Sequence, residues 1–326
     1  MKLIICGNGF DIHHGFQTSY KDYKEFLLKE HPHSFRAFEE FQYISLTNSN
    51  RWSDLEGSLT INYEDCVSDS LAVFYPDLNN DSDSRWYDFQ IDLEDQTKFI
   101  YDFTGLYLFE WLDNVDYTLA EHTLDLNLND LYITFNYTST LERVYEIPID
   151  NIFHIHGSIE KVERSQIQNW FIPYFRTIED AEIAEQFQAD EFNSDIIREY
   201  IQFGSIYNDP LQIKEDLEKR YGDDDFYSVS IEPGIANLID FCNVATKDIK
   251  RNYEYLKKYI IQNEIDQVII MGHSIMGVDN DYYNDIIVPL LKDCFWTFYY
   301  YNNENLNDIK QFVEKFSIEK YEYIKW

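Results

Sequence analysis

The chain has 326 residues, 44% hydrophobic and 17% aromatic with 27 Tyr and 24 Phe. That is enough to build one large domain with insertions, or two domains, around a sizeable core. A net charge of −34 opposes phosphate backbones and anionic lipid, which excludes free nucleic acid and anionic membrane as default ligands, and the four scattered cysteines, Cys6, Cys66, Cys242 and Cys294, form no C-x-x-C, which excludes a recognisable disulfide framework or a paired-cysteine zinc ribbon.

The chain opens on a short apolar run, Leu3-Ile4-Ile5-Cys6, which reads as a buried strand and runs into Gly7-Asn8-Gly9. The run is too short for the apolar part of a signal peptide, and no later one approaches the ~20 residues of a membrane span. Together these features predict a cytoplasmic protein without membrane attachment. Thr18 or Ser19 can cap a helix that carries Tyr20, Tyr23, Phe26 and Leu27 on one face. Residues 20 to about 125 read as a helical insertion, with Pro76 to Ser84 as a loop inside it. Within it, Trp52, Leu55 and Leu59 form an apolar stripe that includes Glu56, so this carboxylate is expected to be paired or to have a raised pKa.

Leu131 to Phe135 reads as the second strand, ending in Asn136-Tyr137-Thr138, and Ser139-Thr140-Leu141-Glu142 fits a capping box. Ile152 to Ile155 is the third strand, ending in His156-Gly157. A second insertion, about 160 to 262, is acidic and helical, with Asp223-Asp224-Asp225 as a solvated turn. Lys247, Lys250, Arg251, Lys257 and Lys258 form its densest basic stretch, read as a solvated face or a local anion contact. Val268 to Met271 is the fourth strand, ending in Gly272-His273-Ser274, and Cys294 to Tyr300 is the fifth. Strands separated by helical stretches predict one α/β domain over 1–326 with a Rossmann-like parallel sheet. Its ligand is expected outside the carboxyl ends of the strands, where all four polar clusters fall.

The motifs exclude several chemistries. Ile12 occupies the third glycine position of G-x-G-x-x-G, which disfavours a hydride-transfer Rossmann domain, and no P-loop sequence is present. In a serine nucleophile elbow the residue two after Ser274 would be glycine, and it is Met276. His154 and His156 lie two apart on a strand, a spacing that could hold a metal with Asp11, His14 and Asp279. The favoured reading is no metal, with His154 as a packed histidine.

Ile5-Cys6-Gly7-Asn8-Gly9-Phe10-Asp11-Ile12-His13-His14-Gly15-Phe16-Gln17-Thr18-Ser19-Tyr20 resembles the opening signature of the AbiH bacteriophage abortive-infection family. Phe135 to Glu142, Ile155-His156-Gly157 and Met271-Gly272-His273-Ser274 resemble that family in the same order, so the likeness spans residues 4 to about 283. A remoter similarity is to sirtuin-like NAD-binding domains. Thr134-Phe135-Asn136-Tyr137-Thr138 is similar to their T-x-N-x-D segment, with Thr138 in place of the aspartate. His156-Gly157 matches their catalytic histidine pair, and the paired-cysteine zinc module is absent.

The resemblance implies an anti-phage protein that cleaves nicotinamide from NAD, used as substrate with no retained cofactor. Asn136 and His156 would be catalytic. Gly7, Asn8, Gly9, Asp11, Thr134, Gly272 and Ser274 would hold the nucleotide, with the glycine-loop amides on the pyrophosphate. Lying at strand ends, Asn136 and His156 are expected to face a crevice and to matter little for stability. A phage-derived trigger and a homo-oligomer are compatible with this reading. The alternatives are a nucleotide-binding sensor that cleaves nothing, favoured by Thr138, and a metal-dependent hydrolase or nuclease built on His154 and His156.

Overall fold

The computed structural model describes residues 1–44, 51–52, 54–75, 84–163, 194–224, 226–275, 277 and 279–326. The expected loop from Pro76 to Ser84 lies outside them except for Ser84, as do Asp225 of the acidic turn, Met276, and residues 164–193 of the second insertion. Six strands form one sheet: β1 (Lys2–Cys6), β2 (Leu131–Thr134), β3 (Ile152–His154), β4 (Gln267–Met271), β5 (Phe295–Tyr300) and β6 (Tyr321–Lys325). Their order is β3-β2-β1-β4-β5-β6 and every pairing is parallel. This is the doubly wound Rossmann order, in which the chain first builds outward through β3 and then returns to the other side of β1.

Burial explains why the apolar runs are strands. Leu3, Ile4, Ile5 and Cys6 of the central strand are all buried, as both faces of an inner parallel strand must be. Alternate residues supply two cores. On one face Leu3, Ile5, Ile133, Val268, Ile270 and Trp296 pack with Leu256, Ile287 and Phe312 from helices. On the other, Ile4, Cys6, Tyr132, Ile269 and Met271 pack with Phe10 and Leu141. β6 and the helix before it (Asn303–Phe316) extend the expected architecture. That helix is capped by Asn302, whose side chain accepts from the Asn305 N–H.

The chain divides into two compact units. The first comprises 1–22, 110–163 and 248–326 and contains the whole sheet; the second comprises 23–109 and 164–247. The expected insertions, 20 to 125 and 160 to 262, overlap the second unit. Its described part is helical, with Pro32–Glu40, Tyr63–Phe74, Asp88–Thr97, Phe99–Thr104, Pro210–Tyr221 and Glu232–Val244 among its helices. Aromatic rings fill its interior. Phe38 stacks on Phe103 at 4.7 Å, and Phe99 and Phe241 each lie against Phe41. Glu56 is ion-paired there with Lys247 at 2.7 Å, both side chains almost fully buried. The rest of the basic stretch, Lys250, Arg251, Lys257 and Lys258, is exposed on the helix Ile249–Ile261 or, for Lys258, in its last turn. Among the described residues no helix is long and apolar enough to cross a membrane.

Candidate functional site

The sequence-predicted residues of the sheet meet at the carboxyl ends of β1, β2, β3 and β4. β1 runs into Gly7 and the short helix Asn8–His13. The loop after β4 lies directly against this turn. The Gly7 N–H donates to Met271 O at 3.2 Å and the Gly9 N–H to Gly272 O at 2.8 Å. Gly272 has φ +65, and a Cβ there would lie 2.1 Å from the Phe10 nitrogen. The two loops therefore touch backbone to backbone, and only glycine fits. This corrects the expectation that the Gly7 and Gly9 amides point at a pyrophosphate, because both donate inside the protein. Asn8 is half-buried, and its side-chain oxygen accepts from Thr18 Oγ1 at 2.8 Å.

Asp11 projects from the same helix and is fully buried. Thr138 Oγ1 donates to it at 2.5 Å and Thr140 Oγ1 at 2.6 Å. Burial drives its carboxyl up to about 6, against the lowering pull of Thr138, Thr140, Asn136 and the more distant His154. The hydroxyl that stands in the aspartate position of the T-x-N-x-D pattern thus contacts a carboxylate brought from another strand end.

Beyond β2, the Asn136 N–H donates to Thr134 Oγ1 at 3.0 Å and its side-chain amide to Gly7 O at 3.0 Å. Asn136 is 8% exposed and His156 only 2%. Both are buried, which corrects the expectation that they carry little weight in stability. His156 lies in the turn after β3, and Gly157 follows it at φ +91, a left-handed conformation that glycine adopts without strain. His156 Nε2 lies 2.8 Å from Asp279 Oδ1. The other oxygen of Asp279 lies 3.6 Å from His273 Nε2, and His273 Nδ1 lies 2.9 Å from the Tyr283 hydroxyl. Phe135 packs against both imidazoles, with ring centroids 3.8 Å from His273 and 5.7 Å from His156.

His154 and His156 do not share a ligand. His154 Nε2 meets Glu142 Oε1 at 2.7 Å and its Nδ1 meets Asn136 O at 3.2 Å, so both nitrogens have partners. Glu142 is therefore held by a histidine, and Ser139, the N-cap residue of the helix Thr140–Tyr145, makes no side-chain capping bond; the expected capping box does not form. His14 is buried between Phe10 O and the Tyr145 hydroxyl. Among the described residues no group of three or more His, Cys, Asp or Glu is placed to hold a metal ion. Ser274 is exposed, and among the described residues no hydrogen bond joins it to Asn136 or His156. Sequence reasoning missed His273 and Tyr283 and gave Asp279 only a place in a hypothetical metal set. The one signal that could have found His273 is its position at a strand end inside a glycine-serine motif already singled out.

No curated protein and no solved structure matches the chain. A family match does exist, to the description "Bacteriophage abortive infection AbiH", and it runs over residues 3–300. It spans the glycine turn, the Asn136 segment, the His156-Gly157 turn and the loop after β4 together. The protein belongs to the bacteriophage abortive infection AbiH family.

Proposed function

We propose that this protein hydrolyses NAD, releasing nicotinamide, in a sirtuin-like site formed by Asn136 and His156. One observation carries the reading: the two side chains sit at the carboxyl ends of neighbouring strands, β2 and β3, with Asn136 tied to the turn after β1. Ligands of open α/β sheets bind outside this end, next to the point where strand order reverses. Asp11 strengthens the reading, since its contact with Thr138 supplies a carboxylate beside the residue that lacks one.

In the proposed reaction the bond between the ribose C1′ and the nicotinamide nitrogen breaks. Its electron pair goes to the nicotinamide, which leaves neutral without protonation. Water forms the new bond to C1′ and loses its proton to His156, giving ADP-ribose. His156 suits the base role because an imidazole titrates near working pH. Asn136 would orient the water or the ribose hydroxyl through its amide. NAD is the substrate, no cofactor is retained, and a phage-derived trigger starts the reaction in the cell.

A second reading, a nucleotide-binding sensor that cleaves nothing, is favoured by the burial of Asn136 and His156, which shields both side chains from water. Incubating the purified protein separately with NAD, ATP and RNA, with and without lysate from phage-infected cells, tests both. Nicotinamide and ADP-ribose identified by mass support hydrolysis. Binding of NAD without turnover under every condition supports the sensor. Cleavage of ATP or RNA while NAD stays intact defeats both.

A further inference from the structure

We propose that the outer edge of β6 is an interface with a second copy of this chain, the two β6 strands pairing antiparallel about a two-fold axis at Tyr323 and joining two sheets into one. This is independent of the proposed NAD hydrolysis and stands or falls without it.

β6 is the last strand in the sheet order, and among the described residues no strand pairs with its other side. The Trp296 N–H donates to Lys320 O at 2.8 Å, and the Trp326 N–H donates to Tyr300 O at 2.8 Å. Residues two apart on a strand face the same neighbour. Lys320, Glu322, Ile324 and Trp326 therefore bond to β5, while Tyr321, Tyr323 and Lys325 turn their backbone N–H and C=O groups away from it. Exposed strand edges are commonly blunted by proline, a bulge or charged side chains. β6 has no proline, and its register with β5 runs unbroken from Tyr321 to Lys325. Its one carboxylate, Glu322, is held to its own sheet by the Thr297 hydroxyl at 2.9 Å. Lys325 is the remaining charge on the strand.

The side chains select the partner and the register. With the axis at Tyr323, that residue pairs with its own copy and Tyr321 pairs with Lys325, so every outward backbone group of the strand finds a partner. Directly opposed residues of an antiparallel pair share a face. One face then carries an aromatic pair flanked on each side by a tyrosine ring and an ammonium, both favourable cross-strand combinations. The rings already line up for it: Tyr321 and Tyr323 have centroids 5.2 Å apart, and Tyr321 is 42% exposed. An axis at Glu322 would set two carboxylates face to face, and one at Ile324 would leave Tyr321 opposite no residue of β6. The net charge of −34 opposes self-association in dilute salt. At ~0.15 M, where screening acts within about 8 Å, the local pairs decide. Because the paired strands run in opposite directions, the Asn136 and His156 clusters lie at opposite ends of the joined sheet.

Sedimentation equilibrium of the full chain, over a range of protein concentrations and salt, tests the pairing. The expected result is a monomer–dimer equilibrium that tightens as salt rises from ~0.01 M to ~0.15 M, because the net repulsion is screened. Lys325→Pro removes an outward N–H at an exposed edge position without touching a bond to β5, and should weaken dimerisation ~5–100-fold. Tyr321→Lys sets a second ammonium opposite Lys325 and should weaken it roughly 2–30-fold; adding Lys325→Glu should restore it. Within one copy these two positions are roughly 13 Å apart along the strand, too far to couple, so the restoration reports contact between copies. Melting temperatures equal to that of the wild type would show the variants folded, and the exposed Tyr321 pair keeps the test decisive should proline disturb the strand. A wild type that stays monomeric at every concentration and salt overturns the proposal. So does a dimer that loosens as salt rises, or one that the paired charges fail to restore.

Discussion

Asp11 is fully buried, and the hydroxyls of Thr138 and Thr140 only partly offset the rise that burial imposes on its carboxyl. Its value of about 6 in the fold compares with 3.8 as the ordinary one. Between those two values the folded state binds more protons than the unfolded chain. The Asp11 contribution is therefore fully present below about pH 4 and is lost as pH rises through 6. Replacing it by Asn removes that dependence. Denaturant melts at pH 4 and pH 7 should show wild type losing roughly 2–3 kcal/mol relative to Asp11→Asn, two pKa steps at about 1.4 kcal/mol each. Parallel pH profiles for the two proteins would mean Asp11 is charged throughout. The histidines give a second expectation at this scale. His154 and His156 are both buried against carboxylates, so His154→Ala and His156→Ala should each cost roughly 1–3 kcal/mol by thermal or urea melts. Stability alone does not separate the two. Rate does: His156→Gln should lose ~10²–10⁴ in turnover while the corresponding His154 variant keeps most of it. Equal losses at both positions would argue against His156 as the base.

At the scale of elements, the contact between the turn after β1 and the loop after β4 is the most demanding feature of the fold. Gly272→Ala would place a β-carbon 2.1 Å from the Phe10 nitrogen at a φ of +65. The left-handed conformation alone costs about 1–2 kcal/mol for a residue with a side chain, and the collision adds to it. Gly277→Ala, whose new carbon would meet nothing nearer than Ser274 Oγ at 3.5 Å, should be nearly neutral. Comparable melting points for the two variants would show that the loops separate readily in solution. In the second unit, Lys247→Met leaves the Glu56 carboxylate buried opposite an apolar side chain, at an expected cost of about 3–5 kcal/mol. Glu56→Leu combined with Lys247→Met should recover most of it in urea melts; no recovery would mean the pair has a further role.

The elements also show where sequence reading succeeds. Five strands were legible because buried parallel strands need unbroken apolar runs, as in Leu3 to Cys6 and Val268 to Met271. β6 was not, because Tyr321-Glu322-Tyr323-Ile324-Lys325 is a half-exposed edge strand with no such run. Asn136 and His156 were legible as polar residues just past strand ends. The contacts that hold them were not, since Asp279 lies far from His156 in sequence and only the sheet order brings them together. Glu142 was misread for a related reason. Its spacing from Ser139 fits a cap, but a buried histidine offers a stronger charged partner.

For the whole molecule, 60 acidic residues against 26 lysines and arginines make self-repulsion a standing load on the compact state. Raising ionic strength from ~0.01 M to ~0.15 M shortens the screening length from about 30 Å to about 8 Å. The melting temperature should rise over that range, as scanning calorimetry would record. A fall would show that local ion pairs outweigh the net repulsion. The strand order carries a consequence of another kind. β1 is the central strand, yet its neighbours are far away in the chain: Leu3 pairs with Leu131 on one side and with Val268 on the other. At translation speeds of ~5–20 residues per second, roughly 10–50 s separate the synthesis of β1 from that of β4. Throughout that interval a strand that is buried on both faces in the finished sheet leaves an edge open on the ribosome, so the nascent chain depends on whatever shields Leu3 to Cys6 until the second half of the sheet arrives.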